Sequence, residues 1–273
     1  MKTQKEKIEY LAKKGKGYTF DDLCLLTEVL RGEGGCPWDR EQTHKSIRKD
    51  LIEETYEVIE AIDNDDPILM QEELGDLLLQ VTFHAQIEKE QGREGIDGVV
   101  NDICAKLIHR HPHVFGSVVA ETSEQVLDNW DKIKVEEKHR ETLTSQLTAI
   151  PKQLPALMRA QKVGKKVSFF DFANADEVLA KLYEESDEVK GAVASGDAAA
   201  IEEEVGDLLF TAVSLARKLG VNAEEALVGA TNKFIDRFSR LETEVEKDGK
   251  DIREMSMPEL DAVWDRIKHN KCE

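Results

Sequence analysis

Two groups of carboxylates recur along this chain in one register. The first reads Glu53-Glu54-Thr55-Tyr56-Glu57 followed by Glu73-Leu74-Gly75-Asp76. The second, 131 residues later, reads Glu184-Glu185-Ser186-Asp187-Glu188 followed by Glu204-Val205-Gly206-Asp207. In each copy the last Glu of the first group precedes the first Glu of the second by 16 positions. Solvated charges are interchangeable and need no register, whereas oxygen ligands for a hard divalent cation do. A single Glu-rich helix is ordinarily a solvated face; two clusters at matched spacing in both halves reverse that reading. On a helix, positions three or four apart share a face, so Glu185 projects with Glu188 and Glu204 with Asp207. Glu184 joins them four residues before Glu188, and Glu203 four before Asp207. Apolar neighbours (Val178, Leu179, Leu182 and Val189; Val205, Leu208 and Leu209) predict that the two helices pack antiparallel, with four carboxylates facing across the pair. Like charges held that close require a compensating cation. Mg²⁺ fits, since it takes oxygen ligands, keeps waters and is completed by substrate phosphates.

The repeat extends beyond the acidic clusters. Leu74-Gly75-Asp76-Leu77-Leu78-Leu79 is echoed by Val205-Gly206-Asp207-Leu208-Leu209-Phe210, and Lys106 with Arg110 by Lys233 with Arg237. Trp130-Asp131-Lys132-Ile133-Lys134 returns as Trp264-Asp265-Arg266-Ile267-Lys268. Helical periodicity covers 21–31, 46–62, 68–90, 99–110 and 124–140 in the first half, then 175–194, 198–219, 223–247 and 258–270 in the second. Residues 1–20 read as a frayed leader or short helix, and Gly32 to Asp39 as a Gly/Pro loop. No segment alternates with period two for long enough to be a strand. The segment 141–156, with two prolines, breaks the periodicity and divides the chain. The expected fold is all-α, a tandem duplication of one helical-bundle unit, with domains at 1–145 and 146–273.

A net charge of -19 argues against non-specific nucleic-acid binding, which rests on Lys and Arg against phosphates, and against docking on anionic membranes. The cysteines Cys24, Cys36, Cys104 and Cys272 form no CxxC pair, so neither a zinc ribbon nor a disulfide scaffold is suggested. With no apolar run of signal-peptide or membrane-span length, the expectation is a cytoplasmic, reduced, soluble chain.

Metal with convergent Lys and Arg is how proteins hold di- and triphosphates. Lys181, Lys233, Arg237 and Lys268 are ordinary surface residues taken singly. The recurrence of the Lys/Arg pair in both halves gives the reading its weight. Trp264 could stack on a base, although a helical tryptophan is as often a packing anchor. The histidines of HRHPHVFG occur in the first half alone. The ExxH matches Glu41–His44 and Glu136–His139 fall outside the carboxylate-bearing helices, which disfavours a di-iron bundle. No Walker A, GxGxxG or nucleophile signature is found.

The EExxE and ExxD pattern on all-α tandem units, with a GCPWD loop, HRHPHVFG, LPALMRAQK and two Trp-containing helices, resembles the MazG family of nucleoside triphosphate pyrophosphohydrolases. The resemblance runs from about Leu23 to Lys268. Related all-α enzymes include helical dUTPases and phosphoribosyl-ATP pyrophosphohydrolase. The resemblance implies a homodimer that hydrolyses nucleoside triphosphates to NMP and pyrophosphate with Mg²⁺, Mn²⁺ being a possible substitute, with the C-terminal unit as the active one. Carried over by motif, Glu185, Glu188, Glu204 and Asp207 would be metal ligands. Lys181, Glu184, Glu203, Lys233, Arg237, Trp264 and Lys268 would line the nucleotide site. Attack of a metal-activated water at the α-phosphorus would expel pyrophosphate, with Glu184 or Glu185 as base. Where the family often carries a Lys ahead of the second acidic cluster, this chain has Asp197-Ala198-Ala199-Ala200-Ile201. The first half keeps Glu54, Glu57, Glu73 and Asp76 but has Asp50 where the second has Lys181, so a weaker or structural first site is expected. The competing classes are a non-catalytic nucleotide-sensing regulator and a redox di-metal bundle.

Overall fold

The computed structural model describes residues 3–137 and 142–269; every element among them is helical. The chain divides into two compact units, Met1–Lys138 and His139–Glu273. The ends of the helices expected to reach Arg140 and Asn270 lie outside the described residues.

The first unit contains α1 (Gln4–Lys14), α2 (Phe20–Arg31), α3 (Pro37–Glu41), α4 (Arg48–Asp63), α5 (Pro67–Glu90), α6 (Gly95–Arg110), α7 (Pro112–Phe115) and α8 (Ser123–Glu137). The Lys-rich leader is thus a helix. A capping box supplies the reason: Thr3 and Glu6 satisfy each other's free backbone amides. At its centre α4 and α5 form an antiparallel hairpin. The turn closes on Asp66, whose carboxylate accepts from the amides of Ile68 (2.9 Å) and Leu69 (3.1 Å), with Pro67 at the first helical position. The far end of this hairpin buries Ile47 of the segment leading into α4 against Phe83 and Ile87 of α5. α2 lies along α5, where the hydroxyls of Thr27 and Thr82 meet at 3.3 Å inside the core.

The loop after α2 is held by Arg31. Its guanidinium donates to the carbonyls of Asp39 (2.6 Å) and Gln42 (3.1 Å) and forks onto the Glu90 carboxylate at 2.9 and 2.7 Å. Gly35 is required there, since a Cβ would stand 2.3 Å from the carbonyl oxygens of Val29 and Leu30. Beside this loop, His44 Nδ1 lies 2.8 Å from His84 Nδ1, and His44 Nε2 lies 2.7 Å from Glu88. The two rings are within 5° of parallel with centroids 5.1 Å apart, so they lie end to end in a shared N–H···N bond rather than face to face.

The second unit contains α9 (Leu143–Thr148), α10 (Ala156–Lys166), α11 (Ala175–Ser195), α12 (Ala198–Lys218), α13 (Ala223–Lys247), a 3₁₀ turn (Ile252–Glu254) and α14 (Met257–His269). The proline-marked stretch therefore holds one helix and opens another, with Pro155 as the N-cap of α10. A proline at a helix start breaks nothing. α11 and α12 repeat the hairpin of α4 and α5, joined by Gly196 and Asp197. Gly196 adopts φ 71° to end α11, and Asp197 caps α12 as Asp66 caps α5. At the open end, Asp171 pairs with Arg217 and Lys218, all three distances falling between 2.8 and 2.9 Å. Leu241 and Val245 of α13 pack on Val263 and Ile267 of α14.

Candidate functional site

The repeat places three carboxylates together in each unit. In the second unit one oxygen each from Glu185 and Glu188 of α11 and Glu204 of α12 lie within 4.8 Å of one another. In the first unit Glu54, Glu57 and Glu73 do the same. These are equivalent positions of the repeat. Each hairpin therefore builds the same trio, because its two helices are joined by a short capped turn that fixes their register. The deepest member differs between the two: Glu73 of α5 is 8% exposed in the first unit and Glu185 of α11 is 5% exposed in the second, while their equivalents Glu204 and Glu54 are half-buried.

Acidic groups so arranged resist ionisation. Burial raises Glu54 to about 7, helped by its hydrogen bond with Glu57 and by the charges of Asp76, Glu57 and Glu73. Glu73 is raised chiefly by burial and then by Glu57. In the second unit Glu188 is raised by its hydrogen bond with Glu185 and by burial, with Lys181 pulling the other way. Lys181 Nζ lies 2.8 Å from Glu184 and 2.9 Å from Glu185. An all-oxygen donor set of crowded carboxylates fits a hard divalent cation and does not fit a soft metal.

The remaining residues singled out in the sequence are distributed as follows. Asp76 and Asp207 are exposed one turn along from Glu73 and Glu204 and stand outside the two trios. Glu184 and Glu203 are exposed on the same helices. Lys233 (exposed) and Arg237 (half-buried) are on α13, four residues apart. Lys268 on α14 makes a loose pair with Asp265 at 3.9 Å. Trp264 is half-buried at the margin of the α13/α14 core, its ring centroid 5.4 Å from that of Phe234. The embedding of Lys181 among the carboxylates was not read from the sequence, although its spacings of three and four to Glu184 and Glu185 carry the signal. A cavity of about 590 Å³ between α2, α5 and α6 contains none of these residues.

Comparison with known families matches the MazG nucleotide pyrophosphohydrolase domain twice, over residues 42–115 and 174–241, so each match contains one trio. The chain is 43% identical over 257 residues to the nucleoside triphosphate pyrophosphohydrolase/pyrophosphatase MazG of Thermotoga maritima, covering 93% of this chain and 98% of that protein. It is 44% identical over 262 residues to the nucleoside triphosphate pyrophosphohydrolase of Escherichia coli, covering 93% and 98%. With both hairpins matched and the likeness running almost end to end, the chain belongs to the MazG nucleotide pyrophosphohydrolase family.

Proposed function

We propose that this chain hydrolyses nucleoside triphosphates to the nucleoside monophosphate and pyrophosphate, using Mg²⁺ or Mn²⁺ held by the α11/α12 hairpin. The observation that carries the reading is the trio Glu185, Glu188 and Glu204, built at the same repeat positions as Glu54, Glu57 and Glu73. Asp207, one turn beyond Glu204, is the fourth candidate ligand. Bound there, the cation supplies neutralising charge for the phosphates and acidifies a coordinated water.

The chain's own groups do the rest. Glu184, 59% exposed and outside the trio, accepts the proton of the attacking water at the α-phosphorus, with Glu185 as the alternative acceptor. Lys181, Lys233, Arg237 and Lys268 neutralise the charge that develops on the departing pyrophosphate. Glu203 and Trp264 complete the nucleotide-facing set. In the first unit Asp50 replaces the lysine, and a carboxylate there repels a triphosphate, so that unit is the weaker or structural site.

The working form is a homodimer. Leu209 and Phe210 on α12 and Leu227, Phe234 and Ile235 on α13 are between 45% and 59% exposed. A monomer seldom leaves so many large apolar side chains in water. No described helix is long and apolar enough to cross a membrane, so this surface is not a membrane span.

The test is product identity. The purified dimer incubated with mixed NTPs and Mg²⁺ should give NMP and pyrophosphate in equal amounts on anion exchange, at a light-scattering mass twice that of the 30.8 kDa chain. NDP with phosphate would displace the cleavage position. Bound nucleotide with no turnover would favour the nucleotide-sensing regulator.

A further inference from the structure

Lys181 sits among the oxygens that a divalent cation would need. Its ammonium is 2.8 Å from Glu184 Oε1, 2.9 Å from Glu185 Oε1 and 3.8 Å from Glu188 Oε2, and the last two residues belong to the trio. Glu185 is buried, so few positions around its carboxylate are open to a second cation. The first unit has no equivalent. Its residue at this repeat position is Asp50, and the adjoining Lys49, 82% exposed, pairs with Asp50 at 3.5 Å instead of with the trio. The two hairpins therefore surround the same three carboxylates differently: the second tethers a lysine ammonium among them, and the first has an aspartate at that position.

An ammonium and a divalent cation cannot both occupy one small set of carboxylate oxygens, because they repel each other and compete for the same lone pairs. The lysine side chain, half-buried here, is a long flexible stem that can swing its three donors elsewhere once displaced. We propose that Lys181 is a displaceable counter-ion: it competes with the divalent cation for Glu185 and Glu188, and on release it is handed to the phosphates of the substrate. Metal and nucleotide binding then reinforce one another in the second unit, since each removes what obstructs the other, and the linkage is reciprocal. The first unit lacks this coupling. The inference rests on the metal site proposed above and adds to it the role of a residue that is a phosphate contact only after the metal has arrived.

Mn²⁺ alone is the probe, titrated by electron paramagnetic resonance into full-length protein carrying Glu54→Gln and Glu57→Gln to silence the first trio. At 0.5 M salt, screening confines charge effects to a few ångströms and leaves contact competition. Adding Lys181→Met should tighten Mn²⁺ binding about tenfold, a typical coupling strength, while Lys181→Arg should stay within about twofold of the parent. With Mn²⁺ saturating, an α,β-methylene nucleoside triphosphate should bind the Met variant about tenfold more weakly, a loss in the range of a charge-assisted phosphate contact. Thermal unfolding of each variant establishes that it is folded. Equal or weaker Mn²⁺ binding by the Met variant would overturn the competition, and unchanged analogue binding would overturn the hand-over. If Glu188→Gln in the same background leaves Mn²⁺ binding undiminished, the metal-site reading itself is wrong and the inference falls with it.

Discussion

Replacing Glu188 by Gln should lower turnover by about a hundredfold to a thousandfold, the scale of losing one charged ligand from a metal-assisted hydrolytic site. The amide keeps the shape of the carboxylate and removes its charge. Because Glu188 is one of three mutually repelling acids, that loss also relieves strain. The variant should therefore unfold at or slightly above the parent temperature in the absence of divalent cations. Loss of activity with retained stability is the mark of a functional carboxylate rather than a structural one. The matching change Glu57→Gln, in the unit that carries Asp50 at the repeat position of Lys181, should leave at least half of the turnover. Steady-state rates and melting curves on both variants decide the matter. Full activity in Glu188→Gln would remove that residue from the metal site, and equal losses in both variants would mean that the two units share the work.

The largest expected effect on stability lies at the open end of the second hairpin. Asp171 is 7% exposed and receives two bonds from Arg217 and one from Lys218, which lie in the last turn of α12. The guanidinium is wedged against α10 at Gly164, where a Cβ would come within 2.8 Å of Arg217 Nε. Replacing Asp171 by Asn leaves two cations with little to answer them, at a cost of about 2–4 kcal/mol given the partial exposure of the partners. The effect depends on pH in a definite sense. Arg217 first, then Lys218, hold the Asp171 carboxyl well below its ordinary value of 3.8. A group whose pKa is depressed by folding contributes its full stability above the unfolded-state value and loses it as pH falls. The gap between wild type and Asp171→Asn should accordingly be widest at neutral pH and narrow progressively below about pH 4. Urea unfolding at pH 7 and pH 3 measures both gaps. A gap that widened in acid would mean that the Asp171 ion pairs do not stabilise the fold.

Where the sequence was legible, local rules were in control. The hairpins were readable because their spacing is helical and their turns end on Asp66 and Asp197, which cap the next helix. The trio positions followed from the same register in both halves. The lysine-rich start reads as a frayed leader or a short helix, and the capping box that Thr3 and Glu6 spell out selects the helix. Pro151 lies in the non-helical stretch between α9 and α10, as a breaker should, whereas Pro155 sits at a helix start, where a proline costs nothing, and α10 begins directly after it. What spacing could not give was anything decided between helices. The approach of Trp264 to Phe234 depends on how α14 lies on α13, and the end-to-end His44–His84 bond depends on how the segment before α4 meets α5. Asp76 and Asp207 share a helix face with their partners, yet stand apart from the trios, because a shared face fixes direction but not reach.

The two-residue link between α11 and α12 also has a consequence for the order of events as the chain folds. Glu188 and Glu204 are 16 residues apart, so bringing them together closes a short loop, and contacts of that kind form early. The carboxylates thus meet while the rest of the unit is still unformed and water still screens them. Lys181 is already in place at that moment, one turn before Glu185 on the same helix. The charge that steadies the site is carried by the hairpin itself, and the nascent chain can close it without waiting for an ion to arrive.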